Sequence, residues 1–249
     1  AFVRELLANV GGGEVQAQGE LKDGAWTVDA HVRQVDPSAI HGMLAPMTVS
    51  GEAQARQHGK AIAFAVDLQG KPKAARAAPR KDADGVAKAI ATLQLQQLLA
   101  KGEWSEGTLA LLQLRARASD AQLVGSGSAN IEARSGRGKF DLSAPGLKAM
   151  ADGEIAAARG GGKLTLQASD LAAAQQWLRR WPGVPAALTA QPLAGQGHAL
   201  LAWQGGWNDP SVQGALTASA LQWGAGEQAW TVRDAVGTVN GRLRDAQIQ

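Results

Sequence analysis

The four histidines are the side chains best suited to catalysis or metal binding, and they are far apart in the sequence. They occupy positions 31, 41, 58 and 198, and none has the spacing of a helical metal motif such as HExxH. His31 falls on the polar side of an alternating segment, which favours a solvated surface role. The chain has no cysteine, so it contains neither thiolate metal ligands nor disulfides.

Three glycine-containing stretches resemble known motifs without matching them. Residues Arg159–Lys163 (RGGGK) lack the Ser or Thr and the earlier glycine of a P-loop, and they predict a hairpin turn instead. Gly195–Gly197 lacks the third glycine of a dinucleotide fingerprint. Gly125–Ser128 (GSGS) is not a GxSxG elbow, and it lies in an alternating strand. The acidic residues are scattered over polar faces and turns. The sequence therefore predicts no enzyme, no cofactor and no metal site.

Charge and aromatic content restrict the partners. A net charge of +3 over 249 residues is too small to predict a nucleic-acid interface. An aromatic content of 4% argues against an aromatic-lined cleft for single-stranded nucleic acid or sugar. The basic segment 71–81 most often corresponds to a solvated loop, with contact to anionic headgroups or an acidic partner as the alternative. The tryptophans from Trp177 to Trp230 are interpreted as packing anchors, with an interfacial lipid role as the alternative.

Most of the chain alternates apolar and polar residues, which predicts strands with one apolar face. Hairpins are predicted over 13–32 and 48–70, and a strand from about Leu93. Short connections predict an antiparallel meander. Phe140–Leu147 is interpreted as a strand end that runs into a short turn or helix. The other strands are predicted over 108–133, 163–168, 197–205, 211–223, 230–232 and 236–243.

Two short amphipathic helices are predicted near 36–43 and 169–181. Asp36 can cap the first, with Pro37 at its first helical position. Ser169-Asp170 offers an N-cap for the second, and Leu171, Ala174, Leu178 and Trp181 give it an apolar face.

A meander with one apolar face must hide that face. It can close into a barrel, stack as a sandwich, wind into a solenoid, or curl into an open trough. Few large side chains are available to fill a wide interior, so we favour the trough: a mainly β chain with a long curled antiparallel sheet, an open groove and a few short amphipathic helices. The alternative is a closed dry core made by the same residues. The positions expected to face this interior are Val15, Leu21, Val28, Val32, Ile62, Phe64, Val66, Leu68, Leu112, Leu114, Leu123, Ile131, Leu164, Leu166, Val212 and Leu216.

The chain is interpreted as one continuous repetitive β region over residues 1–249. Its soft repeat units are about 13–70, 93–147 and 162–249. It begins at Ala1 and ends inside an apparent strand, so we expect it to be a fragment of a longer protein. No apolar run approaches the roughly 18 residues of a membrane helix, and no signal peptide is visible.

Three stretches resemble the repetitive β region of the TamB family, within the wider AsmA-like group. One is Leu166–Leu171 (LQASDL), followed by Trp177 in a short helix. The second is Gly205–Ala218, with the pattern GxWxxPxxxGxLxA. The third is Phe140–Leu147 (FDLSAPGL). Members of this family are inner-membrane-anchored subunits of the translocation and assembly module.

The resemblance implies a β-taco fold, a long curled sheet with an apolar inner groove that spans the periplasm. It also implies passage of phospholipid between the inner and outer membranes, with acyl chains in the groove, or help in assembling outer-membrane β-barrel proteins. The protein would then lie in the periplasm as part of an inner-membrane-anchored protein, and its partners would include an outer-membrane β-barrel. The competing interpretation is a structural β-solenoid or adhesin segment of an exported protein. The varying element lengths and the interrupting helices argue against it.

Overall fold

The computed structural model describes residues 2–39, 46–72, 95–181, 184, 190–224, 229–242 and 247–248. Nearly all of the regular structure is β, as the alternating pattern predicts. The strands are β1 Phe2–Val10, β2 Gly13–Lys22, β3 Ala25–Val35, β4 Met47–His58, β5 Ala61–Pro72, β6 Leu95–Ser105, β7 Thr108–Ala118, β8 Gln122–Asn130, β9 Ser135–Ala144, β10 Leu147–Ile155, β11 Gly160–Ala168, β12 Leu193–Gln204, β13 Ser211–Trp223, β14 Trp230–Arg242 and β15 Gln247–Ile248.

Neighbouring strands pair in chain order as antiparallel meanders, from β1 to β7 and from β9 to β15. Tight turns make this order possible. Asp23 and Gly24 join β2 to β3, and both have positive φ, 52° and 78°. A two-residue turn of this kind suits the twist of a hairpin. The predicted mainly β, antiparallel fold class is therefore confirmed.

The chain divides into two compact units, Ala1–Ser126 and Gly127–Gln249. Unit 1 contains β1 to β7, and unit 2 contains β9 to β15; β8 spans the division. The soft repeat units inferred from the sequence remain a prediction.

Helical structure in the described residues is limited to one α-helix and one 3-10 turn. Helix α1, Leu171–Leu178, begins where the sequence predicts, because an Asp170 carboxylate oxygen accepts hydrogen bonds from the Ala172 and Ala173 amides at 2.9 and 3.0 Å. It ends three residues before Trp181. The 3-10 turn Pro37–Ala39 is capped by Asp36, which accepts from the Ser38 amide at 3.0 Å. The rest of the predicted 36–43 helix lies outside the described residues.

Some local predictions were wrong or incomplete. For the Phe140–Leu147 stretch, the turn of the two predicted alternatives is confirmed and the helix is absent: Pro145 and Gly146 form the turn of a hairpin, and Ala144 pairs with Leu147. Strands β1 and β10 were not predicted. Residues 160–162, expected in a turn, begin β11 instead. Strand β5 takes in Lys71 and Pro72, and β6 begins at Leu95. The rest of the basic segment and the uncertain region 82–94 lie outside the described residues.

Candidate functional site

In unit 1, cross-strand register builds an apolar surface across strands β2 to β7. Directly opposed residues of an antiparallel pair share a face. Three rows of six residues therefore lie side by side, and every member is apolar or glycine. We call this surface strip 1. Its rows are Gly19, Val28, Ala55, Phe64, Gly102, Leu111; Ala17, Ala30, Ala53, Val66, Ala100, Leu114; and Val15, Val32, Gly51, Leu68, Leu98, Ala116.

Unit 2 carries a corresponding surface, strip 2, across strands β9 to β14. Four rows of six residues are in register, again without a polar or charged side chain. The rows are Ala144, Leu147, Ala168, Gly197, Ala218, Ala235; Leu142, Ala149, Leu166, Ala199, Leu216, Gly237; Phe140, Ala151, Leu164, Leu201, Gly214, Val239; and Gly138, Gly153, Gly162, Trp203, Val212, Gly241.

The strips are shielded from water only in part. Almost every strip residue has intermediate exposure, and among the described residues no side chain is less than 2% exposed. The most buried apolar residues are few: Val35, Met47, Ala118, Ala168, Ala174, Trp177 and Ala199. A packed core of these strands would bury its large side chains. The described residues therefore contain two apolar surfaces that are shielded from water only in part.

The opposite face of the sheet in unit 1 is polar and carries ion pairs across the strands. His31 Nδ1 lies 3.5 Å from a Glu52 carboxylate oxygen, and Arg33 lies 3.8 Å from Glu14; each pair is directly opposed in the register. Both pairs are largely exposed, so each contributes little stability. These charged residues instead help to fix the register of the strands, because a slip of one residue would place charges on the apolar side.

Helix α1 covers one side of strip 2. Leu171 lies over Gly197, since a Cβ on that glycine would be 3.8 Å from Leu171 Cδ2. Trp177 is 5% exposed and Ala174 is 3% exposed. The buried Gln175 side chain donates to the Gln191 carbonyl at 2.7 Å. The helix thus packs against the row of strip 2 that contains Gly197 and Ala168, and Ala168 is 8% exposed.

Aromatic rings lie directly on glycines of neighbouring strands. In strip 1, a Cβ on Gly102 would be 2.8 Å from Phe64 Cζ. In strip 2, a Cβ on Gly162 would be 2.3 Å from Trp203 Cζ2, and one on Gly153 would be 2.6 Å from the same atom. Glycine in a strand interior often marks such a close approach. The glycines of the RGGGK segment are therefore explained by contact with a ring and with neighbouring backbone, not by a turn.

Most of the predicted interior positions lie on the strips. Strip 1 contains Val15, Val28, Val32, Phe64, Val66, Leu68 and Leu114, and strip 2 contains Leu164, Leu166, Val212 and Leu216. Two others extend strip 1 at its margin: Leu21 pairs with Trp26 and is 49% exposed, and Ile62 pairs with Trp104. Leu123 lies in β8 with intermediate exposure.

The placement of Leu112 on the same face as Leu114 was wrong. A β-bulge interrupts the register between Lys101 and Gly102, so that Gln113 pairs with Lys101 while Leu111 pairs with Gly102. The extra residue at a bulge reverses the alternation that follows it. Leu112 is consequently 73% exposed, and Leu111 takes the strip position.

Ile131 was also misplaced, because β8 ends one residue before it. Asn130 ends the strand with its side-chain oxygen, which accepts a hydrogen bond from the Ala133 amide at 2.7 Å. Asparagine commonly forms such a local bond in turns. Ile131 therefore sits in the turn and is 59% exposed.

Sequence reasoning also missed strip residues. Leu98 and Leu201 were missed because each lies next to another leucine, Leu99 or Leu200, which interrupts the alternation. Trp203 was missed because the tryptophans were interpreted as packing anchors. The available signal was register: each lies opposite a residue that had been assigned to the interior, or opposite a glycine.

A depression of about 440 Å³ in unit 2 is lined by polar residues such as Gln167, His198 and Asp234 and also by the first row of strip 2, from Ala168 to Ala235. It lies beside a register irregularity at Gly195, whose φ is 112°. Within the described part of the chain, no group of three His, Asp or Glu residues could hold a metal ion. No helix there combines the length and apolarity needed to cross a bilayer. These features leave the two strips as the candidate site.

Comparisons with known proteins do not assign this chain to a family. No protein-family model matches the chain. Searches of curated proteins and of solved structures likewise gave no match.

Proposed function

We propose that this chain is a segment of an intermembrane bridge whose apolar strips conduct phospholipid acyl chains between the inner and outer membranes of a Gram-negative envelope. The supporting observation is the register of the two strips: three rows of six and four rows of six residues, all apolar or glycine and only partly shielded from water. The sheet curls so that each strip lines a groove. The role is transport, and it requires no catalytic group.

The strips suit a hydrocarbon chain in chemistry and in length. Moving one methylene group from water to an apolar surface is worth about 0.8 kcal/mol when it is fully buried. Six strands at about 4.8 Å spacing extend over roughly 24 Å, whereas one acyl chain spans about half of a 30 Å bilayer core. Each strip can therefore hold a whole acyl chain along the stacking direction, while the headgroup remains in water.

The uniform composition of the strips also suits movement. A ligand that slides must meet no single tight site, and a buried charge or an unpaired polar group would create a barrier. No strip position carries either. Small residues are interspersed with Leu, Val and Phe and with the single Trp203, so most of the surface offers similar contacts of low individual strength.

The competing structural role fits the strand pairing less well. A β-solenoid stacks parallel strands in coils of constant length, whereas every strand pair whose register is known among the described residues is antiparallel. Assistance in outer-membrane protein assembly, with a β-barrel partner, remains a second prediction. So does the location in the periplasm as part of an inner-membrane-anchored protein.

The two leucines around the bulge in β7 provide a matched test. In the full-length protein, a photo-crosslinking amino acid at position 114 would lie on strip 1, and one at position 112 would lie on the exposed bulge. We expect lipid adducts at Leu114 and few at Leu112, detected by mass spectrometry of the crosslinked protein after exposure of cells to light. Phe64 and its exposed neighbour Ala63 form a second pair on β5.

Three outcomes are informative. Lipid captured at Leu114 and Phe64 but not at their neighbours would support the conduit. Equal capture at all four positions would reject a lipid-lined strip. Capture of outer-membrane protein segments in place of lipid at Leu114 would reject the lipid role and favour the assembly role.

A further inference from the structure

Trp203 occupies strip 2 in an unusual way. From β12 its indole reaches across β11 to β10, over Gly162 and Gly153. Its Nε1 donates a hydrogen bond to the Glu154 carbonyl at 3.4 Å. Both glycines pair with each other in the register, and Gly162 pairs with Trp203 itself. The ring therefore lies along the sheet, parallel to the stacking direction, instead of standing on it.

The contacts hold the ring in this position. Any residue larger than glycine at position 162 would place its Cβ 2.3 Å from the ring, so the flat orientation depends on the missing side chain. The hydrogen bond satisfies the only polar atom of the indole, which leaves the outer ring face purely apolar. Trp203 is partly exposed. Because Trp203 and Leu201 lie on the same side of β12, the outer face of the indole is on the apolar side of the sheet.

Apart from Trp203, its row carries almost no side-chain volume, so that it would form a shallow lane along the sheet. Its other members are glycines at four of five positions and Val212. The indole fills this lane across three strands. Without the indole, the part of strip 2 that is free to hold a ligand would be one row wider at β10, β11 and β12.

We infer that Trp203 is a ligand-contacting residue that determines specificity: it narrows strip 2 to flexible linear acyl chains and disfavours broad, rigid apolar molecules such as sterols. This inference rests on the proposed function. An acyl chain can lie along the indole face by van der Waals contact, whereas a fused ring system needs the lane that the indole fills.

Contact with Trp203 can be observed directly by fluorine NMR. The protein is labelled with 5-fluorotryptophan, and its resonances are assigned with single Trp→Phe variants. A phosphatidylcholine with a spin label near the end of one acyl chain is then added. We expect the Trp203 resonance to broaden strongly, together with that of Trp26, which lies at the margin of strip 1. The Trp230 resonance, from a side chain 75% exposed on β14, should change little.

Selectivity is tested by competition between two probes, a fluorescent linear fatty acid and a fluorescent sterol. Trp203→Ala should raise sterol binding relative to fatty-acid binding by roughly threefold or more, less than a closed pocket achieves because the strip is open. Trp207→Ala removes a tryptophan from the turn after β12, 41% exposed, and should leave the ratio unchanged. Trp203→Phe keeps an aromatic ring, and its ratio of sterol to fatty-acid binding should lie between those of the parent chain and Trp203→Ala. It also serves as a second variant in case Trp203→Ala does not fold.

The outcomes separate this inference from the proposed function. If no tryptophan resonance broadens and the parent chain binds no fatty acid, the conduit itself is rejected. If Trp26 broadens and fatty acid binds, but Trp203 is unaffected, the inference alone is overturned. It is also overturned if folded Trp203→Ala and Trp203→Phe both keep the parent ratio of sterol to fatty acid.

Discussion

Leu200 and Leu201 test the assignment of the two faces, because these adjacent leucines of β12 point to opposite sides of the sheet. Leu201 lies on strip 2 between Leu164 and Gly214, whereas Leu200 pairs with Thr165 and Ala215 and is 51% exposed. We compare Leu201→Asp with Leu200→Asp. Both changes replace leucine by aspartate at adjacent positions of the same strand, so that their difference in stability reports the environment of each face.

The expected difference follows from the exposure of the two sites. Removing a half-buried leucine from strip 2 loses about 1–2 kcal/mol of apolar burial. A carboxylate on the same surface adds about 1–2 kcal/mol, because the open strip lets it keep part of its hydration. Leu201→Asp should therefore lower the free energy of unfolding by about 2–4 kcal/mol, and Leu200→Asp by less than about 1 kcal/mol.

Urea denaturation followed by circular dichroism measures both variants. With a total stability of about 5–15 kcal/mol, Leu201→Asp should still fold, yet in the full-length protein it should fail to support outer-membrane integrity. Equal destabilisation of the two variants would refute the face assignment. Complete loss of fold in Leu201→Asp would show that strip 2 is a closed, packed core. A folded Leu201→Asp protein with full function would remove Leu201 from the conduit.

Three further changes probe the local structure, each measured by thermal or urea unfolding. Asp170→Ala removes the N-cap of α1 and should cost about 1 kcal/mol; an unchanged midpoint would mean that packing alone positions the helix. Lys60→Ala breaks the exposed ion pair with Glu106, 3.0 Å apart, and should change stability by less than about 0.5 kcal/mol at any salt concentration; a larger loss would contradict its surface role. Gly214→Ala places a Cβ 2.1 Å from a backbone carbonyl and should destabilise by about 1–3 kcal/mol, whereas Gly161→Ala, whose nearest contact is 3.4 Å away, should have a much smaller effect; equal values would refute the packing argument.

The period-two pattern was sufficient to predict the fold class and most strip residues. Val28, Val66 and Leu164 lie on the strips because each alternates with polar neighbours, and the polar face must meet water. The N-cap at Asp170 was also predicted from the sequence, since a short acidic side chain before an apolar helical pattern accepts hydrogen bonds from the free amides of the first turn. These predictions depend on local chemistry, which the sequence states directly.

Prediction failed where a residue's face depends on its partner strand. The bulge at Leu112 cannot be recognised from β7 alone, because it arises from the pairing of Gln113 and Leu111 with consecutive residues of β6. The glycines after Arg159 looked like a turn, although a tryptophan more than forty residues later lies on one of them. Both errors concern contacts between strands, which cannot be predicted from the residue pattern of one strand alone.

The sequence by itself determined that this chain forms amphipathic antiparallel strands joined by short turns, because alternation and turn residues act within a few positions. Only the tertiary structure decided which apolar residues are neighbours. Register aligned six strands in each unit into continuous rows, moved Leu112 away from them, and laid Trp203 over Gly153 and Gly162. The physical reason is that a strip is a property of several strands at once: each row exists only when hydrogen bonds between strands fix which residues stand side by side.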